Sequence, residues 1–199
     1  LENKDRRIRR TYKFLKEALI QLLQEYEINN ITIKLLCKKA KVTRQTFYLH
    51  FENLEQFISF VSERMLNDLR QEVHIFHEEY KKDFLELTNH QSIVRIFDHI
   101  LHHKVFYEAF LATNPSTPFA RGFKMEIRHF VTKGLSFVAP DDRQLLVDRQ
   151  LVIQYTTAGF FESIIWWIEN NYERSIDEMA AMLLDLATRG PYLVNKNSP

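Results

Sequence analysis

Apolar side chains recur along this chain at helical spacing almost from end to end. Between Asp5 and Tyr26, the positions Ile8, Tyr12, Leu15, Leu19, Leu22 and Tyr26 step by alternating fours and threes, which places them on one face of a single helix. Glu27-Ile28-Asn29-Asn30 ends it. Thr32 then caps a helix of roughly two turns whose Ile33, Leu36, Cys37 and Ala40 share a face. Lys41-Val42 makes a tight connection, Thr43 is a second N-cap, and Phe47 and Phe51 stand four residues apart on a third short helix. Asn53 with Gln56 reads as a capping box for a long helix towards His77.

The same spacing predicts helix from Asn89 to Leu111 with a break near His103, a loop at Asn114-Pro115-Ser116-Thr117-Pro118, and helix again from Phe119 to Phe137. Ala139-Pro140 interrupts, and a single long helix is expected over Asp141–Asn170. Ser175 and Glu178 form a capping box for a last helix that turns Ile176, Met179, Ala180, Leu183 and Ala187 one way and stops at Gly190-Pro191. No alternating strand pattern exceeds four residues and no repeat is present. The pattern therefore predicts an all-α protein of about nine helices.

Composition narrows the function. The 199 residues include four glycines, at 122, 134, 159 and 190, so no Gly-rich phosphate loop can be written and Rossmann and P-loop enzymes are excluded. No cofactor is implied. The single Cys37 cannot form an internal disulfide, which points to the cytoplasm, and the apolar run Phe160–Ile168 is interrupted by Glu162 and falls short of the roughly 20 residues of a membrane span. The net charge of +1 conceals an asymmetry: residues 1–52 carry net +6 and residues 53–199 net −5. A polyanion would attract the first segment and repel the second.

Two short helices joined by a tight turn inside the basic segment have the layout of a helix-turn-helix, which makes 1–52 a DNA-binding domain and 53–199 a second domain. With Phe47 and Phe51 turned inward, Arg44, Gln45 and Tyr48 point out, flanked by Thr46 and His50. Arg reads guanine and Gln adenine through paired hydrogen bonds, and a Thr methyl suits thymine. Tyr48 and His50 suit phosphates, as do Thr32 and Thr43 at helix N-termini. Arg6, Arg7, Arg9 and Arg10 crowd a helix N-terminus, where the macrodipole disfavours cations unless phosphates lie nearby. The competing readings are a solvated arginine cluster and a helix-turn-helix that docks protein.

Thr32 to Phe57, and above all Thr43-Arg-Gln-Thr-Phe-Tyr-Leu-His-Phe51, resembles the DNA-binding region of the TetR/AcrR family of transcriptional regulators. The resemblance implies a palindromic operator on double-stranded DNA, a homodimer, and a larger helical domain that binds a small-molecule effector, with repression the common outcome. Gly159 to Leu186 resembles the last two helices of one branch. Two positions depart from the family pattern. Lys41 replaces the turn glycine, so either it adopts a left-handed conformation or the turn differs; Leu54 replaces a phosphate-contacting lysine, and that contact is not carried over.

In the second domain the helix around Gly159 is apolar nearly all round and must be covered on more than one side. Phe160, Ile164 and Trp167, with Met179, Met182, Leu183 and Leu186 of the next helix, are the expected dimer interface; the alternative places this helix at the centre of a monomeric bundle. Phe97, Phe106, Phe110 and Phe123 are candidates to line an apolar effector pocket. An alternative function is metal sensing by His99, His102 and His103, spaced like ligands on one helix, with His74/His77 a second such pair. No HExxH or G-x-S-x-G motif accompanies them, and no enzyme is expected.

Overall fold

The leucine stripe of the first helix does what its spacing requires: in α1 (Glu2–Glu25), Leu15, Leu19 and Leu22 are at most 1% exposed. The coordinates are a computed structural model that describes residues 2–79 and 85–190, with side chains at 8–73 and 90–190. A short 3₁₀ turn at Ile28–Asn30 follows, then α2 (Ile33–Ala40), α3 (Arg44–Tyr48) and α4 (Leu54–Glu79). Further along lie α5 (Leu85–His102), α6 (Lys104–Tyr107), a π-helical turn at Glu108–Ala112, α7 (Pro118–Val138), α8 (Arg149–Glu169) and α9 (Ile176–Thr188). All regular structure among the described residues is helical.

Two expectations need correction. The helix expected over Asp141–Asn170 is broken: Asp141 caps a 3₁₀ turn at Asp142–Gln144, and α8 begins only at Arg149, where the Asp148 carboxylate accepts from the N–H groups of Gln150 and Leu151. Two consecutive Asp-led caps stop one helix and start another. The box at Asn53 and Gln56 is also displaced by one residue on its return arm, since Gln56 Oε1 accepts from the Glu52 N–H at 2.7 Å. The breaks at His103 and the Ser175–Glu178 box are as expected. Glu178, held by the Ser175 backbone and hydroxyl, keeps its carboxyl below the usual range. Pro191 and the side chains of His74 and His77 lie outside the described residues.

Packing divides the chain into two units at lines other than the 52/53 boundary drawn by charge. The first joins residues 1–68 with 103–125; the second joins 69–102 with 126–199. In the first, α1 packs on α2 and on the π-helical turn. Phe106, Tyr107, Phe110, Phe119 and Phe123 form one ring cluster, with Phe106 stacked on Phe110 at 4.2 Å. Gly122 lies close to Leu66, whose Cδ1 would have to move aside for a Cβ there.

Asn114 ties this unit together from what the sequence presents as a loop. Its Oδ1 accepts from the Ile28 N–H at 2.9 Å, and its Nδ2 donates to Leu23 O and Ala109 O at 3.1 and 3.0 Å. The side chain is buried, so the end of α1 and the π-helical turn share one amide.

In the second unit α5 packs on α9, and Ile93, Ile96 and Phe97 of the one and Met179, Ala180 and Leu183 of the other are buried. Phe97 meets Trp167 of α8 edge to face at 4.8 Å, and the Trp167 indole N–H donates to Arg174 O. Asn171 and Tyr172 turn the chain between α8 and α9 with positive φ, Tyr172 held by edge contact with Trp167.

Asn114→Ala strands three backbone groups and should lower stability by about 2–3 kcal/mol in urea denaturation; a change within about 0.5 kcal/mol would contradict the clasp. Lys41 adopts φ 54° and ψ 39° at the end of α2. Lys41→Gly should therefore raise stability by up to about 1 kcal/mol, because a Cβ is disfavoured there; a loss of stability would show that the Lys41 conformation is unstrained.

Candidate functional site

α3 is one and a half turns long and is positioned by its ends and one buried ring. The Thr43 hydroxyl accepts from the Thr46 N–H at 3.1 Å, and the two threonine hydroxyls are 2.8 Å apart. Phe47 is wholly buried and meets Phe51 and Phe57 at ring separations of 5.7 and 5.9 Å. Phe51 lies beyond the end of α3, yet it packs on Phe57 and Phe60 and completes the same cluster. The packing fixes the rotation of the helix, so Arg44, Gln45 and Tyr48 are exposed on its outer side.

The Arg44 guanidinium lies 6.0 Å from the Tyr48 ring centroid, which groups a cation with a planar, half-exposed ring. Thr46 is half-buried and engaged with Thr43, so it flanks this surface. Thr32 is exposed at the start of α2, where its hydroxyl accepts from the Leu35 N–H. Both helix N-termini in this segment are therefore capped by an exposed threonine. Cys37 is buried on the inner face of α2, and burial pushes its thiol pKa up; it packs as a small apolar side chain.

His50 borders a cleft between the start of α1 and the start of α4 that sequence reasoning missed. Arg9, Gln56 and Arg64 line it together with Tyr12 and Phe60. Arg64 is placed by the two rings, at 5.1 Å from the Tyr12 centroid and 5.8 Å from that of Phe60. Its spacing of four from Phe60 was the available signal. Arg9 and Arg10 are exposed, with Arg10 5.3 Å from the Phe14 ring; the side chains of Arg6 and Arg7 lie outside the described residues. Burial raises the Tyr12 phenol pKa and lowers that of Lys16 on the same helix.

The sites expected in the second domain fare differently. Phe160, Ile164, Trp167, Met179 and Leu183 are buried within the second unit's own core; Met182 is half-buried and Leu186 exposed. The apolar surface that remains on α8 is instead Leu151, Tyr155 and Trp166, which are 59%, 75% and 48% exposed, together with Gly159, where a side chain would meet open space. Sequence periodicity identified a helix apolar on more than one side but did not tell which residues fill this unit's own core and which face outward. Phe97, Phe106, Phe110 and Phe123 are likewise filled core, Phe97 against Trp167 and the other three in the ring cluster.

Within α5, His99 and His102 face different ways. His99 is wholly buried, while His102 turns to solvent with Nδ1 2.9 Å from Asp98 O and 3.5 Å from its carboxylate. His103 stands at the N-terminal end of α6. No described helix is long and apolar enough to cross a membrane.

Comparison with known proteins bears on the family and the fold. Residues 88–189, just over half of the chain, match the TetR_C_8 family, the transcriptional regulator C-terminal region. The HTH-type transcriptional regulator YxbF of Bacillus subtilis (strain 168) is 25% identical over 177 residues, covering 88% of this chain and 44% of that relative, so the chain spans less than half of its length. A TetR transcriptional regulator from Streptococcus agalactiae has the same fold, with a TM-score of 0.67 at 22% identity, covering 94% of this chain and 98% of that one. FadR of Bacillus subtilis, solved with stearoyl-CoA, aligns with a TM-score of 0.63 at 18% identity over 91% of this chain and 100% of its own. By the match over its C-terminal half, the chain belongs to the TetR family of transcriptional regulators.

Proposed function

We propose that the protein is a dimeric, sequence-specific repressor that acts in the cytoplasm and whose affinity for a palindromic operator is set by a small molecule bound in the C-terminal part. The observation that carries this reading is the outward presentation of Arg44, Gln45 and Tyr48 from a helix anchored by Phe47, in a segment of net charge +6. Residues 1–52 form the DNA-contacting part and 53–199 carry the dimer and effector functions. Arg44 and Gln45 read base edges in the major groove, and Thr46 borders them with its methyl group. Thr32, Thr43, Tyr48 and His50 hold phosphates and set the register. Arg9 and Arg64 beside His50 extend the cationic surface.

The uncovered side of α8 supports a dimer. Leu151, Tyr155, Gly159 and Trp166 recur at spacings of four, four and seven, so they form one stripe, and Leu186 adds exposed apolar surface on α9. A second copy related by a twofold axis covers such a stripe with itself. Gly159 permits close approach there. The two recognition helices then enter successive major grooves about 34–36 Å apart, and an effector that favours another spacing releases the DNA. FadR of Thermus thermophilus, a structural relative with a TM-score of 0.59 at 16% identity, is described as a repressor in complex with lauroyl-CoA.

Arg44→Ala together with Gln45→Ala should weaken operator binding by about tenfold or more while leaving the dimer intact, since each paired base contact is worth about 1–3 kcal/mol. Unchanged affinity in a fluorescence anisotropy titration would remove α3 from the interface. Tyr155→Glu with Trp166→Glu should convert the dimer to a folded monomer in sedimentation equilibrium; a dimer that persists at micromolar concentration would place the interface elsewhere.

A further inference from the structure

The second unit contains a cavity of about 290 Å³ between α7, α8, α9 and the turn at Asp142–Gln144. Phe130 and Leu135 of α7, Val152 and Phe160 of α8, and Leu184 of α9 supply its walls, and no charged side chain among the described residues lines it. It is open to solvent on one side, where Ala187 and Thr188 are exposed. Here the opening persists between large side chains on three helices. The aromatic residues expected to form an effector pocket are packed solid, whereas this space is empty of side chains and lies beside small ones, Gly134 and Ala187.

The polar groups at its edge are few and partly engaged. The Thr188 hydroxyl donates to Leu184 O at 2.8 Å, and Gln144 Oε1 accepts from the Asp141 N–H. The Thr156 hydroxyl and the Gln144 amide N–H groups are left to meet a guest. Arg149 is bound to Asp142 and to Ala139 O, and Arg189 lies 3.3 Å from Asp185, so both already have carboxylate partners; Arg143 is exposed on the turn, outside the lining. A buried anion would therefore lack a cation inside the cavity, while a hydroxyl or carbonyl would find Thr156.

We infer that this cavity binds an uncharged, mainly apolar molecule of about 10–20 non-hydrogen atoms, carrying one hydrogen-bonding group for Thr156. The ligand class differs from the acyl-CoA thioesters bound by the two FadR proteins, whose phosphates need cations. Because the walls belong to α8 and α9, an occupant bears on the helices that carry the exposed apolar stripe. Its use as a signal rests on the regulator reading above; its binding does not.

The test is calorimetry of the full chain with 1-decanol, decanoate and decanoyl-CoA as probes. 1-Decanol should bind with micromolar affinity, and both charged probes should bind at least about tenfold more weakly, because their charge has no partner in the slot. Ala187→Phe, which fills the cavity from the exposed side of α9, should weaken 1-decanol binding at least about tenfold. Thr156→Val, which keeps the shape and removes the hydroxyl, should weaken it severalfold. No 1-decanol binding, equal affinity for decanoate or decanoyl-CoA, or affinity unaltered in both variants would overturn the inference. Operator binding measured on the same samples separates the two ideas. Its loss in the ligand-free wild type removes the regulator reading, whereas failure of 1-decanol with operator binding intact removes the slot alone.

Discussion

The outward face of α3 depends on one ring. α3 has five residues, far below the roughly 12–15 that an isolated helix needs to persist in water. It exists because Phe47 is buried among Phe51 and Phe57 and because Thr43 caps its first turn. The same burial leaves one rotation available to the helix. Arg44, Gln45 and Tyr48 are exposed because they are the residues that this rotation turns away from Phe47. A change that loosened Phe47 would therefore disorder this outward set without altering the charge of the segment.

The first unit supports that arrangement by recruiting chain from far along the sequence. Asn114, 91 residues from Leu23, bonds its carbonyl, and the rings of Phe106, Phe110 and Phe119 lock the segment around it. Gly122 lets α7 lie against Leu66 of α4. The unit thus includes residues 103–125 although a boundary drawn by charge would separate them. The same polar side chain satisfies the end of α1 and the π-helical turn, so the local geometry of a loop is fixed by burial.

Most of the helices were legible because burial on one face writes a period of three to four into the chain. Leu15, Leu19 and Leu22 announced α1, and Ser175 with Glu178 announced α9, since both signals are local. The outward set of α3 was equally legible once Phe47 was taken as inward. What periodicity could not give was the partner of each face. α8 is apolar on nearly every side, so its pattern did not distinguish Phe160 and Trp167, which fill the core, from Tyr155 and Trp166, which face outward. Aromatic content likewise did not distinguish a filled cluster from a cavity, because the slot is bordered by small residues and gaps that composition does not record. Asn114 acts over a long sequence separation and no local rule marks it, whereas Arg64 stands four residues from Phe60 and only its second ring, Tyr12 on another helix, leaves no local trace.

In the function proposed above, DNA recognition is a property of geometry: two identical helices, each held by its Phe47, presented at a fixed spacing. The most direct test is selection of bound duplexes from a random DNA pool by the full chain at near-physiological salt, with its oligomeric state determined in the same sample. The predicted result is a dimer that enriches an inverted repeat whose half-sites lie about one helical turn or a multiple apart, with affinity falling steeply as salt is raised. A dimer that enriches no sequence, or a single unpaired half-site bound by a monomer, would contradict it.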